Sequence, residues 1–342
     1  MISFKNDYSE GAHPKIIEAL VKTNCEQTDG YGEDNYTLEA YKNIKNKLKC
    51  DNCYIRFLVG GTQSNLTVIS HILRPYQAVI SAETGHINSH ETGSIEATGH
   101  KVVLIKTEDG KLNPKLIENL LSFHKDAHNV EPKMVYISNP NELGVLYKKE
   151  ELSLLYRYCK KNGLYLFIDG ARLASALTSE YNDILFEDYK NLCDILYVGG
   201  TKCGAYFGEG IIFFNENLSK GFQYSIKQRG ALFAKGRLLG IQFNELFKDN
   251  LYWEIGRHSN LMAQKLKDNF IKNGIRLYKD SYSNQLFVII SNDILKELEK
   301  GYKYEIQEKN EKESVVRLVT SWATKEENIN LFIKDFNKIY NK

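Results

Sequence analysis

The chain has 342 residues, 42% of them hydrophobic and 26% charged, an ordinary composition for a globular protein with room for a large domain and a smaller one. Its 45 basic and 43 acidic side chains leave a net charge of +2, which gives no electrostatic pull toward nucleic acid. No apolar run approaches a membrane span, and residues 1–7 are too polar for a signal peptide, so the expected address is the cytoplasm.

In chain order, residues 14–22 and 36–48 read as amphipathic helices, and 54–59 as a strand that stops at Gly60-Gly61. A helix over 62–73, a short strand at 78–80, a strand at 102–105 and a helix at 114–123 follow. Strands at 134–137, 164–168 and 194–198 come next, with a helix at 150–161 and a hairpin partner at 210–214. This alternation predicts an α/β fold with a mainly parallel sheet. After residue 235 the pattern changes to long helices through about 273, strands at 286–290 and 315–319, and helices at 293–300 and from 325. The expected division is a large domain over 1–250 and a small C-terminal α+β domain over 251–342.

The six cysteines are scattered and are expected to be isolated reduced thiols. Cys50 and Cys53 have C-x-x-C spacing but no second pair to complete a zinc site.

Lys202 stands among glycines directly after the strand-like run 194–198; the glycines are expected to let another molecule approach the backbone closely, so that the amine can reach a carbonyl in a cleft. Asp169 ends the apolar run 164–168 and is followed by Arg172. An imine-forming lysine and a carboxylate that keeps a pyridine nitrogen protonated are what pyridoxal phosphate chemistry requires. The plainer readings are a surface lysine in a glycine turn, and an Asp that caps the next helix with Arg172 as its partner. Gly60, Gly61 and Thr62 sit between a strand and a helix, where free N–H groups favour an anion. A plain turn with Thr62 as N-cap is the alternative.

His86 follows another short strand and is placed to lay its ring against a cofactor. With His90 and Glu91 it invites a metal reading, but the pattern lacks the protease glutamate and a third ligand, so no metal is expected. Arg317, inside an apolar strand, suits a substrate carboxylate or a local glutamate.

Taken together, these residues resemble the low-specificity threonine aldolases, in the β-eliminating lyase branch of the fold-type I pyridoxal phosphate enzymes. The likeness covers nearly the whole chain, from Asn6-Asp7-Tyr8-Ser9 and the Gly30–Asp34 loop to Arg317-Leu318-Val319-Thr320. It implies that Lys202 bonds the cofactor carbonyl, Asp169 holds the pyridine nitrogen and His86 stacks on the ring. Gly60, Gly61 and Thr62 would hold the phosphate, with Lys235 as a further cation. Arg172 would lie near the ring's polar edge, and Arg317 would grip the α-carboxylate. Ser9, Tyr31 and Asn141 complete the implied substrate set. Such enzymes resemble dimers or tetramers with shared sites, so Tyr31 and residues 227–237 are expected to serve a neighbouring subunit. Asn141 stands where many threonine aldolases carry a histidine near the substrate's β-hydroxyl, and an amide cannot take that proton. The reaction implied is cleavage of L-3-hydroxy amino acids to glycine and an aldehyde. β-Elimination from a cysteine- or serine-like substrate, or a non-catalytic binding role, are the alternatives. The base is His86, a released Lys202 or a water.

Overall fold

The computed structural model describes residues 1–341. Seven strands make the large sheet: β2 (Tyr54–Leu58), β3 (Gln77–Ala82), β4 (Lys101–Ile105), β5 (Glu131–Ser138), β6 (Tyr165–Gly170), β7 (Ile195–Gly199) and β8 (Glu209–Phe213). Their order is β2-β8-β7-β6-β5-β3-β4. The pairs from β7 through β4 are parallel, whereas β8 runs antiparallel to both β7 and β2.

The unbroken apolar runs arise because both faces of this sheet are buried. Val135, Ile137, Leu166, Ile168, Leu196 and Val198 face one core cluster. Met134, Tyr136, Phe167, Ile195 and Tyr197 face the other. This is the strict period of two that a pleated strand imposes.

A four-stranded antiparallel sheet follows, ordered β12 (Glu305–Lys309), β13 (Glu313–Val319), β10 (Gln285–Ser291) and β9 (Leu277–Lys279). It packs on the helices Leu251–Lys272 and Glu326–Tyr340 through Met262, Phe270, Val288, Val316 and Phe336. The chain's first residues join this layer. β1 (Ile2–Ser3) pairs in parallel with β11 (Tyr302–Lys303), and Phe4 is buried in the same cluster.

Helix starts follow local chemistry. Asp34 caps Asn35–Leu48 by accepting from the Thr37 N–H at 2.9 Å, and Asn113 with Pro114 opens Pro114–Leu121. The strand β12 escapes the sequence pattern because its residues are polar and largely exposed; its pairing with β13 defines it. The long helical stretch of the C-terminal half is two helices, Arg237–Lys248 and Leu251–Lys272, broken between them at Asp249 and Asn250. All six cysteines are free.

Candidate active site

The carboxyl ends of β2, β3, β5, β6 and β7 lie at one edge of the sheet, where α/β proteins bind ligands. The antiparallel β8 brings its first residue to that same edge, since Glu209 pairs with Gly199 and with Leu58. A cleft of about 390 Å³ opens there, lined among others by Gly60, Gly61, Thr62, His86, Asn141 and Glu142. Asp169, Arg172, Lys202 and Glu209 line it as well.

The Lys202 amine makes no hydrogen bond or ion pair among the described residues. Burial, helped by the Arg172 charge, holds its pKa below the usual lysine value against the pull of Asp7, Asp169 and Glu209. The glycines around it serve the chain's own packing. A Cβ on Gly199 would lie 2.2 Å from the Ala171 carbonyl, and one on Gly200 would lie 2.5 Å from the Gly208 carbonyl. The expectation that these glycines admit a ligand is therefore corrected: they let two backbone segments touch so that Lys202 points into the cleft.

Asp169 is 4% exposed and held by three donors. Its Oδ2 accepts from the Tyr136 hydroxyl at 2.6 Å and from the Asn65 amide at 3.2 Å, and Oδ1 accepts from the Ala171 N–H at 2.9 Å. A carboxylate offers about four acceptor sites, so one remains for a further N–H. Arg172 does not pair with Asp169. Its Nε and Nη2 donate to Asp7 at 2.6 and 3.1 Å, and Asp7 also accepts from Asn284 at 2.9 Å. Burial alone would push the Asp7 carboxyl up. The charges of Arg172 and Lys202 and the bonds from Arg172 and Asn284 outweigh that and hold it below its usual value.

The helix Gly61–Ile72 begins at Gly60 with no side-chain cap, so Thr62 is inside the helix and the N-cap reading is set aside. Its first N–H groups are unspent by helix geometry. A Cβ built on Gly60 would meet nothing within 4 Å, an open cradle at a helix N-terminus. His86 is fixed by its surroundings: Nδ1 lies 2.7 Å from the buried Glu91 Oε1, and its backbone N–H donates to Glu142 at 2.9 Å. Its ring stacks on that of His90, with centroids 5.6 Å apart.

Asn141 lines the cleft, with its amide oxygen and one amide N–H committed to neighbouring backbone. Nδ2 donates to the Asp109 carbonyl at 2.7 Å, and Oδ1 accepts from the Leu143 and Val145 N–H groups. Four expected residues lie elsewhere in the single chain. Ser9 is exposed and bonds Asn6, while its neighbour Tyr8 lines the cleft. Tyr31 has φ 60° and carries the Lys227 ammonium over its ring at 5.0 Å. Lys235 lines a separate groove beside Asp29 and Arg237. Arg317 is bound through Nη2 by Glu305 across the β12–β13 pair, and its charge still reaches His90.

Two acidic cleft residues, Glu209 and Glu142, carry no role in the sequence pattern. Glu209 is buried, accepts from Thr201 Oγ1 at 2.6 Å and Gly200 N–H at 2.9 Å, and burial pushes its pKa up to about 7. Glu142 is held by Ser138 and by the distant His86 N–H, and behind the cleft lining Tyr136 and Asp7 are set by Asp169 and Arg172, far along the chain. No group of three or more His, Cys, Asp or Glu able to hold a metal occurs among the described residues. No described helix is long and apolar enough to cross a membrane.

Residues fit for pyridoxal phosphate are thus present together: an unbonded buried amine, a carboxylate with one acceptor site unspent, and a bare helix N-terminus. The beta-eliminating lyase family model matches residues 6–293. A low-specificity L-threonine aldolase of Pseudomonas sp. (strain NCIMB 10558) is 32% identical over 88% of this chain and 88% of its own length. One from Pseudomonas aeruginosa is 29% identical over 98% of this chain and 97% of its own. The solved structure of Leishmania major threonine aldolase superposes with a TM-score of 0.98 at 47% identity, covering 99% of this chain and 100% of that one. An aspartate aminotransferase from Thermus thermophilus shares the fold at a TM-score of 0.70 and 16% identity. The chain belongs to the beta-eliminating lyase family, with the fold of the fold-type I pyridoxal phosphate enzymes.

Proposed function

We propose that this chain is a pyridoxal phosphate-dependent lyase that cleaves L-3-hydroxy amino acids of the threonine type to glycine and an aldehyde. The observation that carries this reading is the placement of Lys202 and Asp169 in one cleft, in a chain similar over nearly its full length to threonine aldolases. Bound there, pyridoxal phosphate supplies a carbonyl for an amine and a ring that accepts the electron pair released at Cα.

The chain's own residues then have distinct tasks. Lys202, with its pKa lowered by burial, has a larger neutral fraction and serves as the amine nucleophile. Asp169, locked by Tyr136, Asn65 and the Ala171 N–H, holds the proton on the ring nitrogen. Gly60, Gly61 and Thr62 receive the phosphate at the helix N-terminus. His86, oriented by Glu91, packs against the ring. Arg172 lies near the ring's polar edge and Arg317 supplies positive charge for the α-carboxylate, each now held by an acidic partner, Asp7 and Glu305.

Active sites shared within a homodimer or homotetramer complete the proposal. Tyr31 and Lys235 belong to one stitched unit, since the Tyr31 N–H donates to the Ala234 carbonyl at 3.2 Å and Gly236 packs on Gly32. Such a unit is suited to present residues to a neighbouring subunit. Six free cysteines fit a reducing compartment, the cytoplasm.

The test is the absorbance spectrum of the purified protein with pyridoxal phosphate, then with L-threonine, L-allo-threonine and phenylserine, the aldehyde being trapped by a coupled reductase. A cofactor band with aldehyde release is expected, and Lys202→Ala should lose both. A yellow protein that instead yields keto acid and ammonia would replace cleavage by elimination. Full activity in Lys202→Ala would overturn the proposal.

A further inference from the structure

Cleavage between Cα and Cβ needs a group that takes the β-hydroxyl proton, and the cleft narrows the choice. Asn141, in the position of the usual histidine, is committed to its own loop and has no basic atom. Asp169 is held by three donors and faces the ring nitrogen in the reading above. Glu209 spends its oxygens on Thr201 and the Gly200 N–H. Lys202 is the natural carrier of the proton at Cα. His90 has its Nδ1 at 2.6 Å from Ser89 Oγ, and burial, with His86 and Arg317 nearby, makes it a weaker base than an ordinary histidine.

His86 has Nδ1 on Glu91 and packs its ring against the cofactor in the reading above, and Glu142 differs from all of these. It lines the cleft and is half-buried. Its Oε1 accepts from Ser138 Oγ at 2.7 Å and from the His86 N–H at 2.9 Å. Those bonds fix the carboxylate beside His86, and they leave Oε2 with no side-chain partner among the described residues. Burial, opposed by the Ser138 bond and reinforced by the Asp169 charge, raises its pKa above the ordinary glutamate value, which strengthens it as a base.

We infer that Glu142 is the general base that takes the β-hydroxyl proton of the bound amino acid, an inference that rests on the aldolase reading. The O–H proton passes to Oε2, and the O–H electron pair becomes the second bond of the aldehyde carbonyl. The Cα–Cβ pair stays with Cα, which then takes a proton to become the methylene of glycine. Glu142 returns its proton to solvent as the aldehyde leaves.

The experiment compares the parent holoenzyme with Glu142→Gln and His90→Asn in three readouts. These are the cofactor absorbance band, exchange of the glycine α-proton for deuterium by NMR, and aldehyde release from L-threonine. Glycine has no β-hydroxyl, so its exchange does not call on Glu142. Glu142→Gln should keep the band and keep glycine exchange within about threefold, while aldehyde release falls by about 10²-fold or more, the usual scale of general base catalysis. His90→Asn should keep aldehyde release within about tenfold. Aldehyde release near the parent rate in Glu142→Gln would overturn the inference. So would loss of band, exchange and release together, because Glu142 would then be positioning His86. A parent enzyme that exchanges glycine but releases no aldehyde overturns the aldolase reading itself, and this inference with it.

Discussion

Asp7→Asn probes the clip that joins the first residues to both layers. The Asp7 side chain is 0% exposed and that of Arg172 14%, so the substitution leaves a buried guanidinium without its counter-charge. Removing one partner of a buried pair costs about 3–5 kcal/mol. The unfolding entropy is roughly 2.1 cal/mol/K per residue, which over 342 residues comes to about 0.7 kcal/mol/K. The midpoint should therefore drop by about 4–7 °C. The assay is thermal unfolding of the cofactor-free protein, because bound ligand adds its own stabilisation.

The pH dependence sharpens this test. The folded Asp7 pKa lies below the unfolded one, so its contribution is complete above about pH 4 and is lost as pH falls through the folded value. The gap between parent and variant should close in acid. The double change Asp7→Leu/Arg172→Met should recover part of the loss, since a well-packed apolar pair needs no counter-charge. A midpoint within about 1 °C of the parent at neutral pH, or a gap unchanged from pH 7 to about pH 3, would refute the reasoning.

Glu305→Gln should free Arg317 for a substrate carboxylate. Trading a charge-assisted bond for a neutral one is worth about 1 kcal/mol, so steady-state kinetics should show KM falling roughly fivefold with kcat unchanged. A raised KM would show that Glu305 aims Arg317 rather than competing for it. Glu209→Gln tests the buried acid: because its folded pKa rises from 4.5 to about 7, the folded state keeps a proton that the unfolded chain has lost. Stability should then fall by about 3 kcal/mol as pH rises from about 4.5 to about 7, and the variant should lack that slope in denaturant unfolding. Equal slopes in both proteins would remove the assignment.

What the sequence determined by itself was local and periodic. The short runs ending before Asp169 and before Lys202 read as buried strands of a parallel sheet, and the Gly60-Gly61-Thr62 turn marked a helix start. Lys202, Asp169, His86 and Arg172 line one cleft at the ends of those strands and turns. The tertiary structure decided which partners those groups keep. Asp7 is 165 residues from Arg172 and 277 from Asn284, and Tyr136 is 33 from Asp169, separations over which no spacing rule operates. Arg317 showed its charge in the sequence, but its partner Glu305 lies on β12, whose polar residues carry no strand signal. Glu142 was hidden for a similar reason. Its neighbour Asn141 occupied the expected position, and only the folded loop shows the amide spent on backbone and the carboxylate left facing the cleft. Strand and turn propensities act within a few residues along the chain. The hydrogen bonds and buried charges that tune a site act across whichever segments folding brings together.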